Sequence, residues 1–209
     1  MPPRNKLKRN HEFHQRREPN KRFLVYFEGA ETERLYVNGI RKLLRESRAP
    51  IVIDPGNRNG NPLEVVRGAK KRKEELRQSD PYDAVWCIFD VEAPEPHPSL
   101  DAALKLARDA DIQCAVSNPC FELWLILHLK DCNRHYTTRN ICRLAEREID
   151  SYDSKVFNFD DLAGGISRAM DRAKLLDGDY PSHVHCKQKN PWTSMWELIQ
   201  FLQDHGWRM

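Results

Sequence analysis

Apolar residues in this chain fall into two patterns: short unbroken runs, and longer stretches where they recur every three or four positions. The unbroken runs are FLVYF (Phe23 to Phe27), PIVIDP (Pro50 to Pro55), the core of YDAVWCIFDVE (Tyr82 to Glu92) and IQCAVS (Ile112 to Ser117). The Ala84 to Phe89 run, with no polar face, reads as a strand buried on both sides, and the other three runs as further strands, PIVIDP a short one closed by proline at both ends. Between them lie helical patterns: Leu35, Tyr36, Ile40, Leu43 and Leu44; a charged amphipathic stretch from about Leu63 to Ser79 with Arg67, Lys70, Lys71, Arg72 and Lys73 outward; and about Leu100 to Asp109. A fourth helix, CFELWLILHL, is apolar nearly all round. Asn118 is its expected N-cap and Pro119 its first residue. Alternating strand and helix predicts an α/β domain with a parallel sheet of about four strands flanked by helices. Beyond Lys130 the pattern is helical, at about 138–150, 160–176 and 192–205. The expected organisation is a basic disordered tail over 1–22, an α/β core over 23–131 and a helical extension over 132–209, packed on the core at the sheet edge.

Two of the strands end in acid. Asp90 and Glu92 follow the Ala84 to Phe89 run at i and i+2, which puts both side chains on one side of the pleat. Glu28 follows Phe27, and Gly29 lets the backbone turn into a helix that Glu31 or Thr32 can cap. In open parallel sheets ligands bind at the C-terminal ends of the strands. Carboxylates placed so close repel unless a proton or cation lies between them, and a divalent cation that takes oxygen ligands suits them. For Glu28 to share an ion with Asp90 and Glu92, the first and third strands must be neighbours, roughly 4.8 Å apart. That selects a flavodoxin-like strand order. Glu122, in the first turn of the apolar helix, either complements the helix dipole or joins this acidic site. The loop GNRNGNP (Gly56 to Pro62) precedes a helix and is either a turn or a phosphate-facing element.

Charge changes the picture at the N-terminus. The net charge is only +3, but Arg4, Lys6, Lys8, Arg9, Arg16, Arg17, Lys21 and Arg22 against Glu12 and Glu18 give residues 1–22 a charge of +6, so the rest of the chain sums to −3. Such a tail either contacts phosphate backbones or is a solvated leader. No stretch approaches the roughly 20 apolar residues that span a bilayer, and no secretory signal is read at the start, so a cytoplasmic chain with reduced thiols is expected. Six cysteines include no CxxC pair. Cys132, His135 and Cys142, with His183, His185 and Cys186, are ligand types that zinc accepts, but their spacing matches no standard finger and loop or core positions are the competing reading.

FEGAETERLY, CIFDVE, AVSNPCFELWLILH and KNPWTSMWELI, spread from about residue 23 to 202, resemble the RloB family, a Toprim-superfamily group associated with bacterial defence loci. The resemblance implies a Toprim-type fold that holds Mg²⁺ (or Mn²⁺) on Glu28, Asp90 and the following acid and acts on nucleic-acid phosphodiesters, whether DNA or RNA, tRNA included. Here the second position of the DxD pair is Glu92, one methylene longer. Glu33, or Glu31, matches a further acid found in similar nucleases. The resemblance also implies a partner ATPase of ABC or AAA type encoded nearby, since the chain contains no GxxxxGK[ST] motif. The aromatic cluster Trp192, Trp196, Phe201 and Trp207 is the expected docking surface, and homo-oligomerisation is left open. Lys187 or Lys189 either adds a charge near the scissile phosphate or is a solvated loop lysine. The competing function is a non-cutting nucleic-acid-binding or sensor subunit. A haloacid-dehalogenase-type phosphatase would carry its acid pair on the first strand, not the third.

Overall fold

The computed structural model describes residues 20–57 and 60–209. The chain runs β1 (Lys21–Phe27), α1 (Thr32–Glu46), β2 (Ile51–Asn57), α2 (Pro62–Leu76), β3 (Ala84–Asp90), α3 (Leu100–Asp109), β4 (Gln113–Asn118), α4 (Glu122–Leu127), α5 (Thr138–Glu148), α6 (Asp160–Ala163), α7 (Ile166–Gly178), β5 (Trp192–Thr193) and α8 (Met195–Asp204). The strands form one sheet in the order β2-β1-β3-β4-β5. β1 pairs in parallel with both β2 and β3, and β3 pairs in parallel with β4. The first and third strands are thus neighbours, as the shared-ion argument requires.

The apolar run of the central strand β3 is explained by burial on both sides. Along β3, Val85, Cys87 and Phe89 face one layer with α2 and α3, while Trp86 and Ile88 face the other with α1, α4, α5, α7 and α8. Each fully buried large side chain contributes roughly 1.5–3 kcal/mol, which keeps Val85 to Phe89 apolar on both faces. β2 is an edge strand, and this is why it tolerates Pro55 within its ladder and leaves Val52 exposed.

Several expectations are corrected. The sheet has five strands, because Trp192 and Thr193, expected as the start of the last helix, pair antiparallel with Asn118 and Ser117. Asn118 does not cap α4: it ends β4, and its amide donates to the Cys186 carbonyl at 2.9 Å. Asn190, in the second Asn-Pro segment, donates to Asn118 Oδ1 at 3.1 Å and to the Tyr136 carbonyl at 2.9 Å. Both Asn-Pro pairs therefore bind each other's loops instead of opening helices, and α4 and α8 start at Glu122 and Met195. Neither Glu31 nor Thr32 caps α1; the Thr32 hydroxyl donates to the Lys155 carbonyl at 3.0 Å. α8 reaches past the sheet edge: Leu198, Ile199 and Leu202 join the same core as β1 and α1.

Lys21 and Arg22 open β1 and are not part of a tail. Arg22 donates through Nε and Nη2 to Asp54 Oδ2 at 2.9 and 2.6 Å, pairs with Asp80, and stacks over Tyr82. Arg4, Lys6, Lys8, Arg9, Arg16 and Arg17 lie outside the described residues, as do Arg58 and Asn59 of the Gly56 to Pro62 loop. The expected docking aromatics are not a surface: Trp192 and Trp207 are buried, and Trp196 and Phe201 pack against the core. No described helix is long and apolar enough to cross a membrane.

Candidate functional site

The C-terminal edge of the parallel sheet opens into a cavity of about 340 Å³. Glu28 enters it directly after β1 and Asp90 as the last residue of β3. Glu33 comes from the first turn of α1 and Glu122 is the first residue of α4. Two strand ends and two helix starts thus bring together four acids that span 95 residues of sequence. Glu33 and Glu122 are both only 5% exposed, far more enclosed than acids on a solvated surface.

The electrostatics are those of crowded, desolvated carboxylates. Burial raises Glu28 to about 7, against the Asp90 backbone, with Glu33 and Glu92 adding to the rise. Asp90 is held well above the usual carboxylate range by burial and then by Glu33, Glu122 and Glu28, opposed by the Phe121 backbone. Glu33 is raised by burial and by Glu122, although it accepts the Gly29 N–H at 3.0 Å. Asp90 Oδ1 is buried and has no hydrogen-bond partner. A buried carboxylate oxygen left unpaired is costly unless a proton or a cation completes it. The donor set around it is hard oxygen, which fits Mg²⁺ or Mn²⁺.

Glu92 differs from the other acids. It lies beyond the end of β3 with φ +67, held by its N–H to the Pro119 carbonyl at 2.8 Å, and its side chain is exposed at the rim of the cavity. The i, i+2 pleat argument fails because the strand stops at Asp90. Glu31 also lines the cavity and pairs with Arg34. Lys189 is not brought there: its Nζ pairs with Asp177 Oδ1 at 3.0 Å and stacks over Trp192. Lys187 pairs with Asp101. Among the described residues the cation lining this cavity is Lys155, which no local pattern in the sequence marks. Partial burial lowers its pKa, but Glu122, Glu33 and Asp90 outweigh this and hold it above the ordinary lysine value.

Tyr152 was also missed. Its hydroxyl donates to Glu122 Oε1 at 2.8 Å and fixes that carboxylate's orientation. The six-residue zinc grouping does not assemble. Cys142 lines the acidic cavity, His135 lies in a separate cavity with Arg134, Arg143 and Arg147, and His185 and Cys186 sit near Asp101.

Fold and site together define an α/β protein with a mostly parallel sheet and an acidic, oxygen-rich cavity across the C-terminal ends of its first, third and fourth strands. The family model for RloB-like protein matches residues 23–202, and the chain belongs to that family. No curated protein and no solved structure matches the chain.

Proposed function

We propose that this protein is a Mg²⁺- or Mn²⁺-dependent nuclease of Toprim type that cleaves nucleic-acid phosphodiesters in anti-phage defence, under the control of a separately encoded ATPase of ABC or AAA type. The observation that carries the chemistry is the buried, partnerless Oδ1 of Asp90 among Glu28, Glu33 and Glu122. Glu28, Asp90 and Glu122 would hold the ion, with Glu92 at the rim reaching it through water. When bound, such an ion neutralises phosphate charge and lowers the pKa of a bound water. The protein's own part is positional. Gly29 and Tyr152 orient Glu33 and Glu122, and the exposed Lys155 lining the cavity offers a positive charge for a phosphate oxygen. The defence setting and the partner ATPase rest on family resemblance and on the missing nucleotide-binding loop.

The test is incubation with DNA, RNA and tRNA in Mg²⁺ or Mn²⁺ beside an Asp90→Ala control. Cleavage that survives in the variant would sink the assignment. The exposed position of Glu92 favours a second reading, a subunit that binds nucleic acid without cutting it. Retained binding with no turnover in either metal, alone and with the ATPase and ATP, would select it.

A further inference from the structure

One corner of the cavity carries ligands of a different chemistry from the carboxylates. Cys120 follows the Asn118-Pro119 turn out of β4, Glu122 opens α4, and Cys142 lies one turn into α5. One ligand atom from each of these three residues lies within 4.8 Å of the others. Among the described residues this is the one such grouping of His, Cys, Asp and Glu. The two sulfurs are 3.9 Å apart. Two thiolates on one tetrahedral zinc, at Zn–S of about 2.3 Å, stand about 3.8 Å apart. The pair is therefore already spaced as one edge of a zinc tetrahedron.

We propose that Cys120, Glu122 and Cys142 form a thiophilic metal site that takes Zn²⁺, distinct in chemistry from the oxygen cluster yet sharing Glu122 with it. The fourth position faces the cavity, so it is open to water or to a neighbouring carboxylate. Two thiol protons leave to solvent as the ion enters; the two thiolates balance its charge, and Glu122 as a third anionic ligand leaves the site with one net negative charge. Tyr152, bonded to Glu122 Oε1, is the outer-shell group that keeps the carboxylate turned toward the sulfurs. A thiol pair prefers zinc over magnesium, so the two kinds of ion would sort by ligand type and not by size. Because both draw on Glu122, zinc here would oppose ion binding by the carboxylates. The zinc site itself does not depend on what reaction the cavity performs.

The test is metal retention, read without any activity assay. The full-length protein, purified reduced and dialysed against Zn²⁺, should hold one zinc per chain that survives excess Mg²⁺. Loaded with Co²⁺, it should show a thiolate-to-cobalt charge-transfer band in the near ultraviolet. Cys142→Ser is the first variant because Cys142 is only half-buried and its loss leaves the core intact. It should weaken zinc binding by more than the roughly 10–100-fold that an outer-shell change costs, and should abolish the cobalt band. In the unaltered protein, zinc should shield the half-buried Cys142 from alkylation, identified by peptide mapping, while Cys120 is already buried by the fold; this readout needs no variant. Absence of the cobalt band, zinc retention unchanged in Cys142→Ser, protection falling on other cysteines, or the pair closing to a disulfide without holding metal would each overturn the proposal.

Discussion

The Gly29 N–H donates to Glu33 Oε1 at 3.0 Å, and a Cβ at position 29 would fall 1.8 Å from Glu33 Oε2. The glycine is thus required by the carboxylate packed against it. Its hydrogen bond and its missing side chain hold Glu33 in the cavity. The obstructing atom is the end of a flexible side chain, so Gly29→Ala should fold, losing about 1 kcal/mol, the net worth of one hydrogen bond. Glu33 should swing out, and the Mn²⁺-induced rise in melting temperature should shrink. An unchanged Mn²⁺ response would show that Glu33 does not serve the site.

The acids also set a pH dependence. Glu28 is raised from 4.5 to about 7 in the folded protein by burial and its acidic neighbours. Between those values the folded state binds a proton that the unfolded state has released, so stability falls as pH rises from about 4.5 through 7 and then levels. Glu28 alone accounts for about 2 kcal/mol of that fall once its solvent-facing part is allowed for. Asp90 and Glu33 act in the same direction. His128, buried and lowered to about 4 by burial, has the opposite slope below 6.5. The cleanest measurement is therefore the difference between Glu28→Gln and the parent. The variant should gain stability relative to the parent as pH goes from 5 to 8 in EDTA, and Mg²⁺ should narrow that gap. Parallel curves for the two proteins would remove Glu28 from the cluster.

The sheet was legible because its signal is local. β1, β3 and β4 are apolar runs that only a doubly covered strand explains, and the acids at Phe27-Glu28 and Phe89-Asp90 dictated which strands must touch. What failed was what depends on distant partners. Asn118 and Asn190 look like helix caps in sequence, yet each is claimed by the other's loop 72 residues away. Trp192 reads as a helix residue because two-residue pairing with β4 leaves no periodicity. Lys155 reaches the cavity and Tyr152 reaches Glu122 from a loop that carries no pattern, whereas Lys189, in a family-like motif, is tied to Asp177.

Trp207 makes the same point energetically. It is 2% exposed, so its role is packing, and its proximity to the chain end misleads. Trp207→Ala should destabilise the protein by about 3 kcal/mol, in the range for a large core aromatic. Chemical denaturation measures this directly. A loss below 1 kcal/mol, together with impaired association with another protein, would return the residue to the surface.

Arg22 sets the boundary for experiments on the basic N-terminus. Its guanidinium ties β1 to Asp54 and Asp80, so a truncation that removes it cuts into the sheet. Deleting residues 1–19 should leave the melting temperature unchanged, whereas Arg22→Ala should lower it. If the deleted lysines and arginines contact phosphates, the slope of log affinity against log salt should also fall by about 0.7–0.9 per lost contact. A truncation that melts like Arg22→Ala would mean that the segment before residue 20 is part of the fold.

Asp90 and Glu92 separate the centre of the site from its rim. Asp90 carries a buried oxygen with no partner and is crowded by three other acids, so its charge is a burden to the metal-free protein. Asp90→Asn removes the charge at nearly constant shape and should raise the melting temperature in EDTA while abolishing the rise that Mn²⁺ produces. Glu92 is exposed and held at φ +67 by its backbone, so Glu92→Gln should leave the EDTA melting temperature unchanged. Its effect on Mn²⁺ affinity should stay within about tenfold, the lower bound for an outer-shell group. Calorimetric titration of Mn²⁺ into both variants decides the ranking. If Glu92→Gln loses binding and Asp90→Asn keeps it, the ion sits at the cavity mouth, and the buried acids serve another purpose.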